Sequence, residues 1–261
     1  MGNRRTRTLV SCLVAGMLIG ACGSGSGHVS ASLSTTPRTT KPSSAPDTPA
    51  QRAADRAVAA RAVLTLADFP LGWTSNPHDT SSSSGPPPAV QRAVIACAHL
   101  PQRFLDNRAD TQPNVNSADF TKGVVGAGPA AQIQSSVELD RTVRDISQPL
   151  AQLAAPDAAA CFAPLFRSEF SQGLGKHPGV SLADFSLNAL SVGSIGDQSA
   201  GFQSRVTIVG QRASINLEVD LYFVRVKRAI VVLSAIAFSV PFDQGFAQTL
   251  LEKMVGRLTT V

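Results

Sequence analysis

The chain has 261 residues, 43% hydrophobic and 16% charged, which excludes a disordered polymer and leaves room for one large domain or two small ones. Lys and Arg number 23 against 18 Asp and Glu, but from residue 62 onward the count is 15 against 16. The basic excess therefore sits in the leader and linker, which argues against a nucleic-acid-binding domain, as does an aromatic content of 5% with one Trp and one Tyr.

Arg4, Arg5 and Arg7 open the chain, and residues 9–21, LVSCLVAGMLIGA, are mostly apolar. This is the basic start and short apolar run of a secretory signal, too short to cross a bilayer as a helix. Ile19-Gly20-Ala21-Cys22 resembles the bacterial lipobox, in which small residues precede a Cys that accepts diacylglycerol. The alternative is an ordinary signal peptide with an incidental Cys. The lipobox reading makes residues 1–21 the signal peptide and Cys22 the lipidated N-terminus, with several acyl chains for stable anchoring in the membrane.

With Cys12 in the leader and Cys22 acylated, Cys97 and Cys161 remain, an even pair in an oxidising compartment. A zinc site needs more ligands at short spacing, so a disulfide is expected. Residues 22–61 are read as the lipidated Cys, a flexible linker and a short lead-in helix. Of the 28 residues at 23–50, 19 are Gly, Ser, Thr or Pro, a composition that cannot bury enough surface to offset ordering and also permits O-glycosylation. As a coil this linker reaches roughly 30 Å.

Residues 51–64 are Ala-rich and helix-forming. Asp68-Phe69-Pro70-Leu71-Gly72-Trp73 reads as a turn that feeds the only Trp into an extended segment. Residues 89–100 read as a helix carrying Cys97, residues 101–131 as irregular, and residues 132–140 as a strand with Ile133, Val137 and Leu139 on one side. A helix over 141–155 contains Pro149, which could start a second piece instead. The next helix runs from Pro156-Asp157 to Leu174, with Cys161, Leu165 and Phe170 expected toward the core. Strands follow at 180–192, 201–210, 213–226 and 229–239. In the third, Ile215, Leu217, Val219, Leu221 and Phe223 share one face, and Asn216, Glu218, Asp220 and Tyr222 share the other. The last strand, AIVVLSAIAFS, is apolar on both faces and is expected at the centre of the sheet. A final helix spaces Phe246, Leu250, Met254 and Leu258 at helical intervals. The pattern predicts an α+β fold over 62–261, a single domain with a mostly antiparallel sheet covered by helices.

Several short motifs point to a family. They are Leu66-Ala67-Asp68-Phe69-Pro70-Leu71-Gly72-Trp73, Cys97 in a helix followed by a Pro, and Cys161 in a second helix. Gly196-Asp197-Gln198-Ser199 before a strand meander and a closing helix at Arg257-Leu258 complete the set. The chain resembles actinobacterial, especially mycobacterial, cell-envelope lipoproteins and the extracellular sensor domain of certain Ser/Thr protein kinases. The resemblance implies an α/β sandwich-like domain outside the membrane, held by a disulfide, with a ligand-binding role. The chain departs from the kinase pattern: it carries neither a kinase domain nor a transmembrane helix. It also has one cysteine pair in the domain where the sensor has two disulfides.

Signals for chemistry are sparse. The four histidines, His28, His78, His99 and His177, show no paired ligand spacing, and no G-x-S-x-G elbow is present. Gly126-Ala127-Gly128-Pro129-Ala130-Ala131 matches a relaxed dinucleotide fingerprint, but a strand pattern follows it where a helix is required, so it reads as a loop. No metal or cofactor is expected. Glu218 and Asp220 project from the same strand face and could serve acid/base chemistry, although a solvated or rim face is the favoured reading. Glu138 and Asp140 repeat that spacing. Arg225, Lys227 and Arg228 read as solvated turn charges.

These observations favour a membrane-anchored, non-catalytic envelope lipoprotein that binds an apolar or lipid-like ligand or an envelope protein. An envelope hydrolase using the strand carboxylates, and a structural or assembly factor, are the alternatives. Candidate pocket residues are Trp73, Tyr222, Glu218 and Asp220. The space is expected from small residues in Ser234-Ala235-Ile236-Ala237 and in the Ala-rich stretch 154–160.

Overall fold

A computed structural model of the chain describes residues 48–78, 88–99, 113–125, 127–211 and 213–260. The expected lipidation site Cys22, the leader and the linker through residue 47 lie outside them. Thr48 caps the first helix, α1 (Pro49–Ala62), by accepting the Gln51 amide at 3.1 Å, and Pro49 at the first position forfeits no intrahelical bond. A short 3-10 turn, Leu66–Asp68, then leads into β1 (Trp73–Asn76). In order follow α2 (Pro88–Cys97), β2 (Asn114–Asn116), β3 (Asp119–Lys122), β4 (Ala130–Leu139), α3 (Val143–Leu153) and α4 (Ala158–Gly175). The chain ends with β5 (Ser181–Ala189), β6 (Gln198–Val209), β7 (Ser214–Val226), β8 (Ala229–Phe238) and α5 (Gln244–Thr259).

The strands form one antiparallel sheet in the order β1-β3-β4-β8-β7-β6-β5, with β2 also paired to β4. The fold is therefore α+β with an antiparallel sheet. β8, apolar on both faces, takes the central place expected of it. Its Val231, Leu233 and Ala235 belong to a core shared with α1 and α5, while Val232, Ile236 and Phe238 belong to a second core shared with α4. Helices thus cover both faces. No helix among the described residues is long and apolar enough to cross a membrane.

Three expectations need correction. The stretch 101–131 is not wholly irregular, since β2 and β3 lie within it. Three- and four-residue strands are too short to show alternation, and their backbone bonds come from pairing with the longer β4. In α4 the core-facing residues are Phe162, Phe166 and Phe170, whereas Cys161 is exposed and Leu165 is half-buried. Phe170 faces the core as expected, and Phe162 and Phe166, at i, i+4 steps before it, join it there, packing against Phe202 of β6 and Phe185 of β5. Pro149 does not divide α3, which runs through it, although the proline has no N–H to give the helix.

Cys97 and Cys161 are disulfide-bonded, with Cα atoms 5.7 Å apart, and join α2 to α4 across a sequence separation of 64. α1 is packed into the domain. Ala59 and Ala62 are fully buried, and Asp55 pairs with Arg228 in the β7–β8 hairpin.

Candidate functional site

β7 places Glu218, Asp220 and Tyr222 at alternate positions, so all three project toward the α5 side of the sheet. The register sets their neighbours. Asp220 lies between Gln203 of β6 and Ala235 of β8, Glu218 between Arg205 and Ala237, and Tyr222 between Gly201 and Leu233. Gly201 is required there: a Cβ would meet the Leu190 carbonyl and the Val192 side chain at 2.8 Å, because the β5–β6 loop crosses over it.

The expectation that Glu218 and Asp220 form a solvated face is overturned. Asp220 is 0% exposed, Tyr222 3% and Glu218 6%. The start of α5 is responsible, since the Phe242 amide just before the helix donates to Glu218 Oε1 at 2.9 Å. Glu218 Oε2 accepts from Arg205 Nε at 3.1 Å, and the arginine side chain is itself mostly in solvent. Glu218 is thus fully engaged.

Asp220 is not. Tyr222 donates its hydroxyl to Oδ2 at 3.2 Å, and Gln203 faces the carboxyl from β6. Oδ1 has no hydrogen-bond partner among the described residues. Burial pushes the Asp220 carboxyl up to about 6; Gln203 opposes this, the Glu218 charge adds to it, and Tyr222 and Arg205 oppose it. Burial, followed by the Asp220 charge, also drives the Tyr222 hydroxyl upward, so it remains a donor. The result is a buried carboxyl that exchanges its proton near neutrality and holds one vacant acceptor.

Trp73 and Tyr222, the paired pocket candidates, do not share a wall. Trp73 is on β1 and Tyr222 on β7, with β3, β4 and β8 between them. Trp73 packs on Phe69 at 4.9 Å and on Phe246 of α5 at 5.9 Å between ring centroids. Phe246 lies 6.3 Å from Phe242, whose amide reaches Glu218, so the first turn of α5 links the aromatic cluster to the acids. The two small-residue stretches are also divided. Ala235 and Ala237 face α5, whereas Ala158 and Ala159 pack in the other layer.

Lys227 is exposed, but the two hairpin arginines are not simple solvated charges. Arg225 bonds Asp197 at 3.1 Å and Gln198 at 3.3 Å, and Arg228 holds Asp55 and the Asp140 carbonyl. Asp140 itself is buried. His78, in the loop after β1, sits 3.1 Å from Asp119 and beside Gln134. Gly128-Pro129 is loop, and β4 begins at Ala130. Among the described residues no group of three or more His, Cys, Asp or Glu side chains could hold a metal ion. Sequence reading missed Gln203 and Arg205 as partners of the acids. The signal was the β6–β7 turn near Gly210, which sets residue 203 opposite 220.

No protein-family model matches the chain, and no curated protein matches it. Similar solved structures include two from one organism. One is LpqN, involved in cell envelope biogenesis of Mycobacterium tuberculosis, with 12% identity over 71% of this chain and 74% of that chain and a TM-score of 0.29. The other is the extracellular domain of PknH from Mycobacterium tuberculosis, with 11% identity over 56% of this chain and 66% of that chain and a TM-score of 0.28.

Proposed function

We propose that the protein is a cell-envelope lipoprotein, held at the outer face of the cytoplasmic membrane by acyl chains on Cys22, whose domain binds a ligand without catalysis. The anchor rests on Ile19-Gly20-Ala21-Cys22 behind a short apolar run. The binding role rests on one observation: a fully buried acceptor, Asp220 Oδ1, is left vacant beside the small Ala235 under the start of α5. Small side chains beneath a helix start that one hydrogen bond ties to Glu218 form the part of the interior most easily opened. The surrounding layer is apolar and aromatic, from Leu233 to Phe242 and Phe246, which suits a lipid-like molecule carrying one polar group. Glu218 is already committed to Arg205 and the Phe242 amide, so the two carboxylates do not form a free acid/base pair.

Native mass spectrometry of the protein purified from its own membranes tests the reading. The expected spectrum shows an adduct of lipid mass that disappears on denaturation. Repeated preparations showing the bare acylated chain alone would overturn it.

A further inference from the structure

We propose that Asp220 is the docking point for a primary ammonium group, which reaches it from the polar face of β5 and β6 by displacing the Gln203 side chain. The inference rests on the reading above that the neighbouring interior accepts an apolar ligand, and it names the polar group which that ligand carries.

The first observation is the vacant oxygen. Asp220 is fully buried, and Oδ1 makes no hydrogen bond among the described residues. Buried polar atoms in folded proteins are almost always paired, so a vacant one requires an occupant or a reason. The second is the sign of the missing partner. The Arg205 guanidinium is committed to Glu218 at 3.1 Å, and the group that hydrogen-bonds Asp220, the Tyr222 hydroxyl, is a neutral donor. A hydroxyl from a ligand would fill the hydrogen bond but leave the buried charge without a counter-charge, whereas an ammonium supplies both. An anionic head is excluded by the two carboxylates at this place.

The third observation is the route. α5 and its preceding loop close the β8 side of Asp220, and Tyr222 lies along the strand. Across β6 lies Gln203, half-buried, and directly opposite it on β5 is Asn188, exposed. Gln203 is long and unbranched, so one rotamer change uncovers the carboxyl without moving backbone. The amide oxygen of the exposed Asn188 and Asp220 Oδ1 then present acceptors to the N–H donors of a primary ammonium.

Such a group could belong to an aminolipid headgroup or to a free amine, and chain length separates the two. The test titrates the full-length chain with dodecylammonium, dodecyltrimethylammonium and butylammonium, each below its micelle concentration, by calorimetry. Dodecylammonium is expected to bind at least tenfold more tightly than its trimethyl analogue, which has the charge but no N–H donor. Asp220→Asn, nearly isosteric, should erase that difference, with a thermal melt confirming that the variant is folded. Gln203→Ala should bind dodecylammonium at least as tightly as the parent. Equal affinity for the two dodecyl cations, or an unchanged preference in Asp220→Asn, overturns the ammonium assignment and leaves the apolar pocket standing. Butylammonium binding as tightly as dodecylammonium supports the ammonium assignment, makes the source a free amine and overturns the apolar pocket. Failure of every cation to bind overturns both.

Discussion

Asp220 makes the stability of the domain depend on pH in an unusual direction. Its carboxyl is raised to about 6 in the fold, while an unfolded aspartate titrates near its ordinary value of about 3.9. The native state therefore favours the protonated form. The stability this contributes is complete below about pH 4 and is lost as pH rises through about 6, on the order of 2–3 kcal/mol by pH 7. Asp55 and Asp68 act in the opposite sense. The Arg228 hydrogen bond is the largest influence on Asp55 and lowers it. For Asp68 burial is the largest influence and raises it, but Arg257 and Thr65 together outweigh burial and the net direction is down. Their contribution is present above about pH 4 and lost below it. Stability is thus expected to peak between about pH 4 and 6. Asp220→Asn should flatten only the alkaline limb, raising the melting temperature at pH 7.5 while changing it little at pH 4. Parallel melting curves for parent and variant across that range would show that Asp220 does not set the limb. That Glu218 and Asp220 share a face was legible from a period of two. That the face is buried was not, because the element that covers it begins more than twenty residues later.

At the scale of elements, α1 is held by a contact with no local sequence signal. Asp55 and Arg228 are 173 residues apart, and their pairing ties the first helix to the β7–β8 hairpin. Asp55→Ala should cost about 1–3 kcal/mol, because it removes a buried carboxylate and strips the half-buried Arg228 of its charged hydrogen-bond partner. Urea denaturation gives the cost, and amide exchange should quicken in α1 more than in α5. An unchanged urea midpoint would mean that Ala59 and Ala62 alone secure the helix. The Cys97–Cys161 bond closes a long loop between α2 and α4, and its reduction should lower stability by about 2–4 kcal/mol by the chain-entropy argument. Labelling of both thiols in unreduced, denatured protein would show the bond absent. The helices and long strands were legible because each runs through several periods of its pattern. β2 and β3 were not, since three or four residues carry no period and acquire their geometry from β4.

For the molecule as a whole, the decisive question is where it resides. Cys22→Ser should leave an unprocessed, unacylated chain, and membrane fractionation with intact-mass measurement reads both changes. A Cys22→Ser chain that still sediments with membranes at the mature mass would show that another feature holds it there. The folded part, close to neutral in charge, adds little electrostatic attraction to an anionic surface, so fractionation should be insensitive to salt. Association that falls steeply with ionic strength would point to a charged patch instead of an acyl anchor.

The sequence by itself determined the α+β class, the antiparallel meander and the central place of β8. Each follows from alternation within a segment, and a strand apolar on both faces has no stable place except between two layers. It also determined which residues share a face. Only the tertiary structure decided that α1 and α5 cover one face and α4 the other. It likewise set Gln203 across from Asp220 and placed Trp73 on β1, with three strands between it and Tyr222. The reason is physical. Periodicity is a property of neighbouring residues, whereas the vacancy at Asp220 Oδ1 is made by groups on β6, β7, β8 and the start of α5, brought together by sheet register and helix docking.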